Sequence, residues 1–281
     1  MKTGFIGAGK VGCSLGRYFV LNGLSVSGFF DVDEESARTA AEFVGTDFVT
    51  ELEELVRNSD ALFLTVPDGL ISTVWNQIKD MPVEGRFICH CSGALSAEDA
   101  FPGIKDRGAF GYSVHPLFAV SDKFHSYEEL PHAFFTIEGD EEHLNDITAL
   151  FQSFGNPVRN IKAKDKVKYH CAAAICSNQV IALIQESLDL LSECGFDEES
   201  ALSALAPIIT GNVAHIVKDG TAGSLTGPVE RGDTDTVKKH LNCLNEEDRL
   251  LYRLLSRKLL SVGKKKNPQR DYSRLESLLH L

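Results

Sequence analysis

Three polar side chains with possible catalytic roles fall in one predicted helical stretch, KVKYHCAAAICSN. Lys166 and His170 are four residues apart, so they share one face of a helix. A lysine amine or an imidazole on that face can carry a proton to or from a reacting oxygen. Asn178 follows in a mostly apolar run, where a buried amide needs a partner such as a ligand. The alternative is that Lys166 is a surface charge and Asn178 bonds to a neighbouring helix.

Two further places could act on a substrate. His115 ends a predicted strand before Pro116, where it could transfer a proton or simply bond to a loop. The loop 224–241 mixes glycine, proline and charges of both signs. Within it, Arg231 can clamp a carboxylate with its planar guanidinium group. Asp233 can orient Lys166 or a substrate hydroxyl, or alternatively cap the helix that follows.

The first thirty-odd residues have the order of a dinucleotide-binding unit: strand, glycine turn, helix, strand, acidic residue. In GAGKVG, the first glycine permits a tight turn, the second lets a pyrophosphate approach, and the third allows close helix packing. A carboxylate nineteen residues later stands near the spacing expected for binding ribose hydroxyls. The alternative is a glycine-rich turn in another α/β protein. The predicted cofactor-binding residues here are Gly7, Ala8, Gly9, Lys10, Val11, Gly12 and Asp31.

Asp31 also bears on the choice of nucleotide. A carboxylate at this position favours NAD and repels the 2′-phosphate of NADP, for which a nearby arginine is usual. The first cation after it is Arg38, which keeps NADP open as the second choice.

Two later strands are expected to end beside the same cofactor. The run ALFLTV is apolar on both faces, as a central parallel strand should be, and FICHC follows as the next strand. Ligands bind beyond the carboxyl ends of such strands. We therefore expect Thr65, Val66 and Pro67 to lie along the cofactor. Ser92 and Gly93 are expected near its nicotinamide end.

Composition excludes several classes of function. The 281-residue chain has a net charge of −12, which argues against a nucleic-acid-binding surface. Seven cysteines without a framework, and no visible export signal, predict reduced thiols and a cytoplasmic location. The longest apolar helical stretch, near 172–184, is expected to be too short and too polar to span a membrane. We predict no metal at Cys89-His90-Cys91, because strand alternation sends the histidine to the opposite face.

The pattern of elements predicts an α/β fold with two domains. Strands alternate with helices over residues 1–161, which predicts a doubly wound, mainly parallel Rossmann sheet for dinucleotide binding. Residues 162–281 contain only helical patterns, including one continuous helix over 164–193 and another over 197–218 that Pro207 kinks or splits. This all-helical domain is expected to bind substrate and to form a homodimer.

The chain resembles a known family through GAGKVG, TVPD (65–68), SVHPL (113–117), KVKYHCAAAICSN and LTGPVERGDTDTVKKHL. These motifs are similar to those of Rossmann-like proteins with a helical C-terminal domain of unknown function, and the resemblance covers nearly the whole chain. The architecture is similar to that of ketopantoate reductases, hydroxyacid dehydrogenases and pyrroline-carboxylate reductases. Lys166 matches the lysine that opens the long helix in the first two groups, whereas His170 replaces an asparagine. His115-Pro116 also resembles a motif of prephenate dehydrogenases.

The resemblance implies an NAD(P)-dependent oxidoreductase that reduces a small 2-oxo acid of the ketopantoate type. Lys166 is the predicted proton donor, with His115 as a second candidate. His170 and Asn178 are expected to position the substrate, and Arg231 to bind its carboxylate. An imine reductase, a prephenate-type dehydrogenase and a non-catalytic dinucleotide-binding protein are the alternatives.

Overall fold

A computed structural model describes residues 1–280 of the chain. These residues form two compact units, one of which is Met1–Gln179 while the other begins at Val180. The first is an α/β unit and the second contains only helices. The first compact unit includes the helix that begins at Lys166. The domain boundary that the sequence predicts lies earlier, after residue 161, and it stays a prediction.

The first unit is built on one seven-stranded sheet. Its strands are β1 (Lys2–Ile6), β2 (Ser25–Phe30), β3 (Ala61–Leu64), β4 (Phe87–His90), β5 (Phe110–Leu117), β6 (Phe134–Gly139) and β7 (Val158–Asn160). They follow the order β2-β1-β3-β4-β5-β6-β7. Every neighbouring pair is parallel except β5 and β6. The strand order reverses at β1 and β3, so the ligand-binding crevice of an open α/β sheet falls at their carboxyl ends.

Helices cover both faces of this sheet. They are α1 (Lys10–Leu21), α2 (Glu34–Val44), α3 (Leu52–Asn58), α4 (Ile71–Ile78), α5 (Ala97–Ala100), α6 (Leu144–Ser153) and α7 (Lys166–Cys176). Residues of α1, α2 and α6 pack in one apolar cluster, and residues of α3, α4 and α5 pack in another. Strand β3 contributes Ala61 and Phe63 to the first cluster and Leu62 and Leu64 to the second. The predicted doubly wound, mainly parallel sheet is therefore confirmed.

The second unit confirms the predicted all-helical character. Its helices are α8 (Asn178–Glu193), which starts at the unit boundary, α9 (Glu198–Ser224), α10 (Pro228–Arg231), α11 (Thr234–Cys243), α12 (Glu246–Lys266) and α13 (Ser273–Leu279). An apolar cluster joins the last four of them, with Val237 and Leu275 almost fully buried at its centre. The longer helices α8 and α9 contribute no residue to this cluster.

Two helix interruptions differ from the sequence-based expectation. The continuous helix predicted over 164–193 is broken at Ser177, whose backbone angles (φ −115°, ψ −80°) are not helical. Pro207 does not split α9, whereas Gly220 (φ 71°, ψ 172°) interrupts it close to the helix end predicted at residue 218. A proline leaves the carbonyl four residues earlier without its partner. That residue, Ser203, is exposed, so water can replace the lost hydrogen bond.

Two helical stretches have the length and composition of a membrane span, Ala163–Glu193 and Glu198–Arg231. Core helices of water-soluble proteins meet the same two criteria, so they do not assign a membrane location. The first stretch also contains α7, whose Lys166 is hydrogen-bonded to residues at strands of the Rossmann sheet.

Candidate functional site

The glycine turn after β1 has the geometry that its sequence predicts at Gly7 and Gly12, and the role of Gly9 in binding a pyrophosphate stays a prediction. Gly7 has a φ of +106°, and a Cβ there would lie 2.7 Å from the carbonyl oxygen of Thr65. A Cβ on Gly12 would collide with the Gly7 carbonyl oxygen and lie 2.6 Å from Thr65 Oγ1. By contrast, nothing lies within 4 Å of a Cβ built on Gly9. The turn is therefore closed on the protein side and open where a ligand would approach.

The start of α1 offers an anion site beside this turn. Gly9 is the N-cap residue, no side chain caps the helix, and its first turn carries no acidic residue. The exposed Lys10 adds a positive charge to the positive end of the helix dipole. Asp31 at the end of β2 accepts hydrogen bonds from the backbone N–H groups of Ala8 (2.7 Å) and Asp33 (3.0 Å). These residues fit a dinucleotide, with phosphates at the helix and a ribose at the carboxylate.

The surroundings of Asp31 carry little free positive charge. Val32, the next residue, is 96% exposed. The guanidinium carbon of Arg38 lies 4.3 Å from the centre of the Phe48 ring, and its Nε lies 3.8 Å from a carboxylate oxygen of Glu35. Arg38 thus already has both a ring and a carboxylate as partners.

The loop after β4 is held by the side chain of Ser92. Its hydroxyl donates to the Asp68 carboxylate (2.6 Å) and accepts from the backbone N–H groups of Ala94 (3.3 Å) and Leu95 (3.0 Å). The Ser92 hydroxyl therefore ties the segment after β3 to the loop after β4. The neighbouring Gly93 leaves space for two imidazole rings, because a Cβ there would lie 2.9 Å from His115 Nε2 and collide with His170 Nδ1.

Lys166, the first residue of α7, is buried rather than on the surface. Only 1% of it is exposed. Its amine donates to the carbonyl oxygen of Ser92 (3.0 Å) and to the hydroxyl of Ser113 on β5. Burial lowers the pKa of this amine from 10.5 to about 8, although the carboxylate of Glu138 opposes the shift. The amine therefore remains largely protonated at neutral pH and is a buried positive charge between the carboxyl end of β4 and the middle of β5.

His115 lies on β5, two residues after Ser113 and on the same face of the strand. Its Nδ1 is 2.7 Å from the hydroxyl oxygen of Tyr169 on α7, and the two rings meet edge to face. The ring centre of His170 is 5.9 Å from that of His115. Burial, with help from the charges of Lys166 and His170, lowers the pKa of His115 to about 4. His115 is consequently neutral at physiological pH.

These side chains open into a cleft of about 510 Å³ between the end of β5 and α7. Polar groups line it at His115, Tyr169, His170, Ser177 and Asn178, and the remaining lining is mostly apolar. No lysine or arginine is among the residues that line it within the described chain. The predicted Lys166, His170, Asn178 and His115 therefore converge on one region, with Lys166 below its surface and the other three at its wall.

Arg231 and Asp233 belong to the second unit. Asp233 accepts hydrogen bonds from the backbone N–H (3.0 Å) and hydroxyl (2.8 Å) of Thr236, so it caps α11 as the alternative interpretation held. The Arg231 guanidinium is exposed and lies 3.9 Å from the Asp233 carboxylate. Their proposed contacts with a substrate stay predictions.

The predicted alternation at Cys89-His90-Cys91 is observed. Cys89 and Cys91 pack in one apolar cluster, whereas the His90 ring lies against Phe101 of the other. Across residues 1–280, no group of three or more histidine, cysteine or acidic side chains has the arrangement of a metal site.

Sequence reasoning missed Tyr169 and Ser113. Tyr169 follows Lys166 by three residues, and this spacing alone places it on the same helical face. Ser113 precedes His115 by two residues and so shares its face of β5. The partner of Tyr169 is His115 and that of Ser113 is Lys166, and both contacts depend on how α7 packs against the sheet.

The sheet order, the glycine turn at the switch point and the helical second unit define a Rossmann-like α/β protein with a helical C-terminal region. Residues 1–116 match the model of a Rossmann-like domain, and residues 133–259 match the model of a domain of unknown function, DUF2520. No curated protein matches its sequence.

Several solved structures share this architecture. Protein TM1727 from Thermotoga maritima is 28% identical, with a TM-score of 0.76 over 94% of this chain and 99% of that one. A putative NADP oxidoreductase, BF3122 from Bacteroides fragilis, is 20% identical, with a TM-score of 0.68 over 92% of this chain and 98% of its own. An imine reductase from Myxococcus stipitatus, solved with NADP⁺, is 14% identical, with a TM-score of 0.63 over the full length of both chains.

Proposed function

We propose that this protein is an NAD(P)H-dependent oxidoreductase that reduces a small 2-oxo acid of the ketopantoate type. The observation that carries the proposal is the buried ammonium group of Lys166, which lies directly behind Gly93 and its neighbouring imidazoles. This group stands at the carboxyl end of β4 and beside the middle of β5, near the edge of the sheet at which ligands of such folds bind. A bound, reduced dinucleotide supplies the hydride for the carbonyl carbon.

The residues of the first unit divide the work of holding the cofactor. The turn Gly7–Gly12 and the N-terminus of α1 bind its phosphates, and Asp31 binds its adenosine ribose. Thr65, Val66 and Pro67 lie along its length. The backbone of Gly93 borders its nicotinamide end, while the Ser92 hydroxyl keeps that loop in place through Asp68.

Lys166 stabilises negative charge as it develops on the substrate oxygen. A fixed positive charge in a poorly hydrated site acts strongly on a developing alkoxide. The same charge lowers the pKa of His115, so its field reaches the wall of the cleft. The proton donor of the proposal is Lys166 or His115, the two candidates that the sequence offers, while His170 and Asn178 position the substrate from the rim.

We propose NAD rather than NADP as the cofactor. Asp31 opposes a 2′-phosphate, and Val32 offers it no cation. Arg38 is engaged with Phe48 and Glu35. Six of the solved structures of similar fold are named for NADP or were solved with NADP or NADPH, so NADH and NADPH must be compared directly.

An imine is the second candidate substrate. The mostly apolar cleft, with no lysine or arginine among its described lining residues, suits a substrate without a carboxylate. One of the proteins of similar fold is an imine reductase. Against it, the Lys166 ammonium would repel the cationic iminium that accepts a hydride. This charge is the reason for preferring a carbonyl substrate.

The experiment is a panel of 2-oxo acids, cyclic imines and prephenate, each with NADH and NADPH, for the wild type and Lys166→Ala. The proposal expects 2-oxo acids to be the best substrates and Lys166→Ala to lower kcat by about a hundredfold or more. Lys168→Ala is the matched control, since Lys168 is an exposed lysine on the same helix. A preference for imines or prephenate would show that the substrate is not a 2-oxo acid. NADH binding without turnover would indicate a non-catalytic dinucleotide-binding protein.

We propose a cytoplasmic enzyme, because all seven cysteines are free thiols.

A further inference from the structure

We propose that Tyr169 is a positioning residue that holds His115 in the tautomer with its proton on Nε2, directed toward Gly93, so that His115 delivers the proton to the reduced substrate. This inference rests on the proposed function and adds to it a route by which a proton reaches the substrate oxygen. It starts from two distances: His115 Nδ1 lies 2.7 Å from the Tyr169 hydroxyl, and His115 Nε2 faces the backbone of Gly93.

Lys166 and His115 differ in whether they can reach a substrate in the cleft. Lys166 is only 1% exposed, and its amine donates hydrogen bonds to the Ser92 carbonyl and the Ser113 hydroxyl. Both of these acceptors are themselves buried. His115, by contrast, lines the cleft together with Tyr169. His115 is thus the group that can touch a substrate, and Lys166 acts on it from behind.

The hydrogen bond with Tyr169 selects the tautomer. A neutral imidazole has one nitrogen that donates and one that accepts. A phenol is a better donor than acceptor, so its O–H points to His115 Nδ1 and leaves the ring proton on Nε2. Burial raises the pKa of Tyr169 and lowers that of His115, which keeps both partners neutral and preserves this arrangement at pH 7.

The proton transfers balance without a charged imidazole. As the carbonyl carbon accepts the hydride, the substrate oxygen takes the proton from His115 Nε2. Nδ1 simultaneously takes the proton of the Tyr169 hydroxyl, so the ring remains neutral and a phenolate is left. Tyr169 is only half-buried, and water returns its proton. The charge of the Lys166 ammonium opposes an imidazolium at His115.

Nitrogen NMR of the full-length protein tests the tautomer without requiring turnover. The His115 signals are assigned by their loss in His115→Gln. In the wild type, Nδ1 should have the shift of an unprotonated acceptor and Nε2 that of a protonated nitrogen. In Tyr169→Phe the two shifts should move toward each other as the tautomers mix. Unchanged shifts in Tyr169→Phe, or a wild-type proton on Nδ1, would overturn the inference.

Kinetics test the consequence. Tyr169→Phe should lower kcat by about tenfold to a hundredfold with KM changed less than about threefold, as expected for a group that assists proton transfer. In a His115→Gln background the same substitution should add almost nothing, because Tyr169 acts through His115. Tyr127→Phe is the matched control, since that ring packs against Phe43.

The outcomes separate this inference from the proposed function. Wild-type turnover that Tyr169→Phe leaves unchanged overturns the role of Tyr169 and leaves the oxidoreductase in place. If the losses of kcat in Tyr169→Phe and His115→Gln multiply in the double variant, that role is overturned as well. Absence of wild-type turnover would overturn the proposed function and the proton delivery together, while the NMR result would still decide whether Tyr169 sets the tautomer.

Discussion

Lys166 is the residue on which the chemistry of the cleft depends, and its burial predicts a pH dependence. The groups that act on its charge are Glu138, Cys91 and Asp68, yet desolvation dominates and lowers its pKa to about 8. Catalysis that needs the ammonium form should therefore fall as pH rises through about 8. In Lys166→Ala this inflection should vanish from the profile of kcat against pH. Its persistence would assign the titration to another group.

The same shift predicts an opposite change in stability. The folded protein loses the Lys166 proton near pH 8, whereas the unfolded chain keeps it to its ordinary value of 10.5. Between these values the unfolded state binds more protons, so this lysine makes the free energy of unfolding rise with pH. Denaturant titrations of the wild type and Lys166→Met across this window measure the difference. A smaller rise in the variant is expected, and equal slopes would contradict the assignment.

Gly93 is a residue whose lack of a side chain permits the two imidazoles to approach. An alanine Cβ would collide with His170 and lie 2.9 Å from His115 Nε2. His170 is exposed and can swing away, but His115 is held by Tyr169. Gly93→Ala should therefore lower kcat by about a hundredfold through misplacement of the imidazole, with the fold retained.

The control for Gly93→Ala is Gly211→Ala, because nothing lies within 4 Å of a Cβ built there. That variant should keep full activity. Normal activity of Gly93→Ala would mean that His115 is not the group that acts on the substrate.

For single residues, the sequence predicted which side chains belong to the site better than it predicted how deeply each is buried. The four-residue spacing placed Lys166 and His170 on one face, which the structure also shows. Spacing could not tell that the lysine is buried and the histidine exposed, because that depends on where β4 and β5 end relative to α7. For the same reason Tyr169 passed unnoticed.

Substitutions in the turn between β1 and α1 can test cofactor binding and stability of the fold independently. Gly9→Ala meets no atom within 4 Å and has a φ of −77°, so it should keep the wild-type Tm while weakening NADH binding. Gly12→Ala would collide with the turn itself and should cost about 1–3 kcal/mol of stability by overpacking. Calorimetry of the two variants with and without NADH makes the comparison. Equal NADH affinity in Gly9→Ala and the wild type would contradict a pyrophosphate at this turn.

The elements of the first unit were predictable because their periodicity is strong. Apolar runs with glycine or proline at their ends predicted β3, β4 and β6 within a residue or two. The antiparallel direction of β6 could not be read from its pattern, because a buried strand looks the same in either direction. Two helix interruptions were poorly predicted, because Ser177 carries no breaker signal and Pro207 lies where Ser203 is exposed. The break at Gly220, by contrast, agrees with the helix end predicted at residue 218.

At the scale of the whole molecule, we propose that the second unit associates with a second copy of itself. Its exposed apolar side chains include Ile181 (67%), Ile208 (60%) and Val217 (82%), on the two helices that contribute no residue to the apolar cluster of the other four. Apolar surface of this kind marks interaction sites. A membrane is the poorer partner, because polar residues such as Asn212 interrupt α9 and the chain carries a charge of −12.

Sedimentation of the full-length protein should give a homodimer, which Ile208→Glu should shift toward monomer. Lys218→Glu, a change at an exposed charged residue near the end of the same run, should leave the dimer intact. A wild-type monomer that binds to lipid vesicles would contradict the second-copy proposal.

The central claim is that the cleft beside Gly93 reduces a carbonyl under the influence of the buried Lys166. The most direct measurement is the rate at which the protein oxidises NADH in the presence of a small 2-oxo acid, compared between the wild type, Lys166→Ala and Lys168→Ala. The account predicts turnover in the wild type and Lys168→Ala, with a loss of about a hundredfold or more in Lys166→Ala. Equal rates in all three proteins, or NADH binding without oxidation in the wild type, would contradict it.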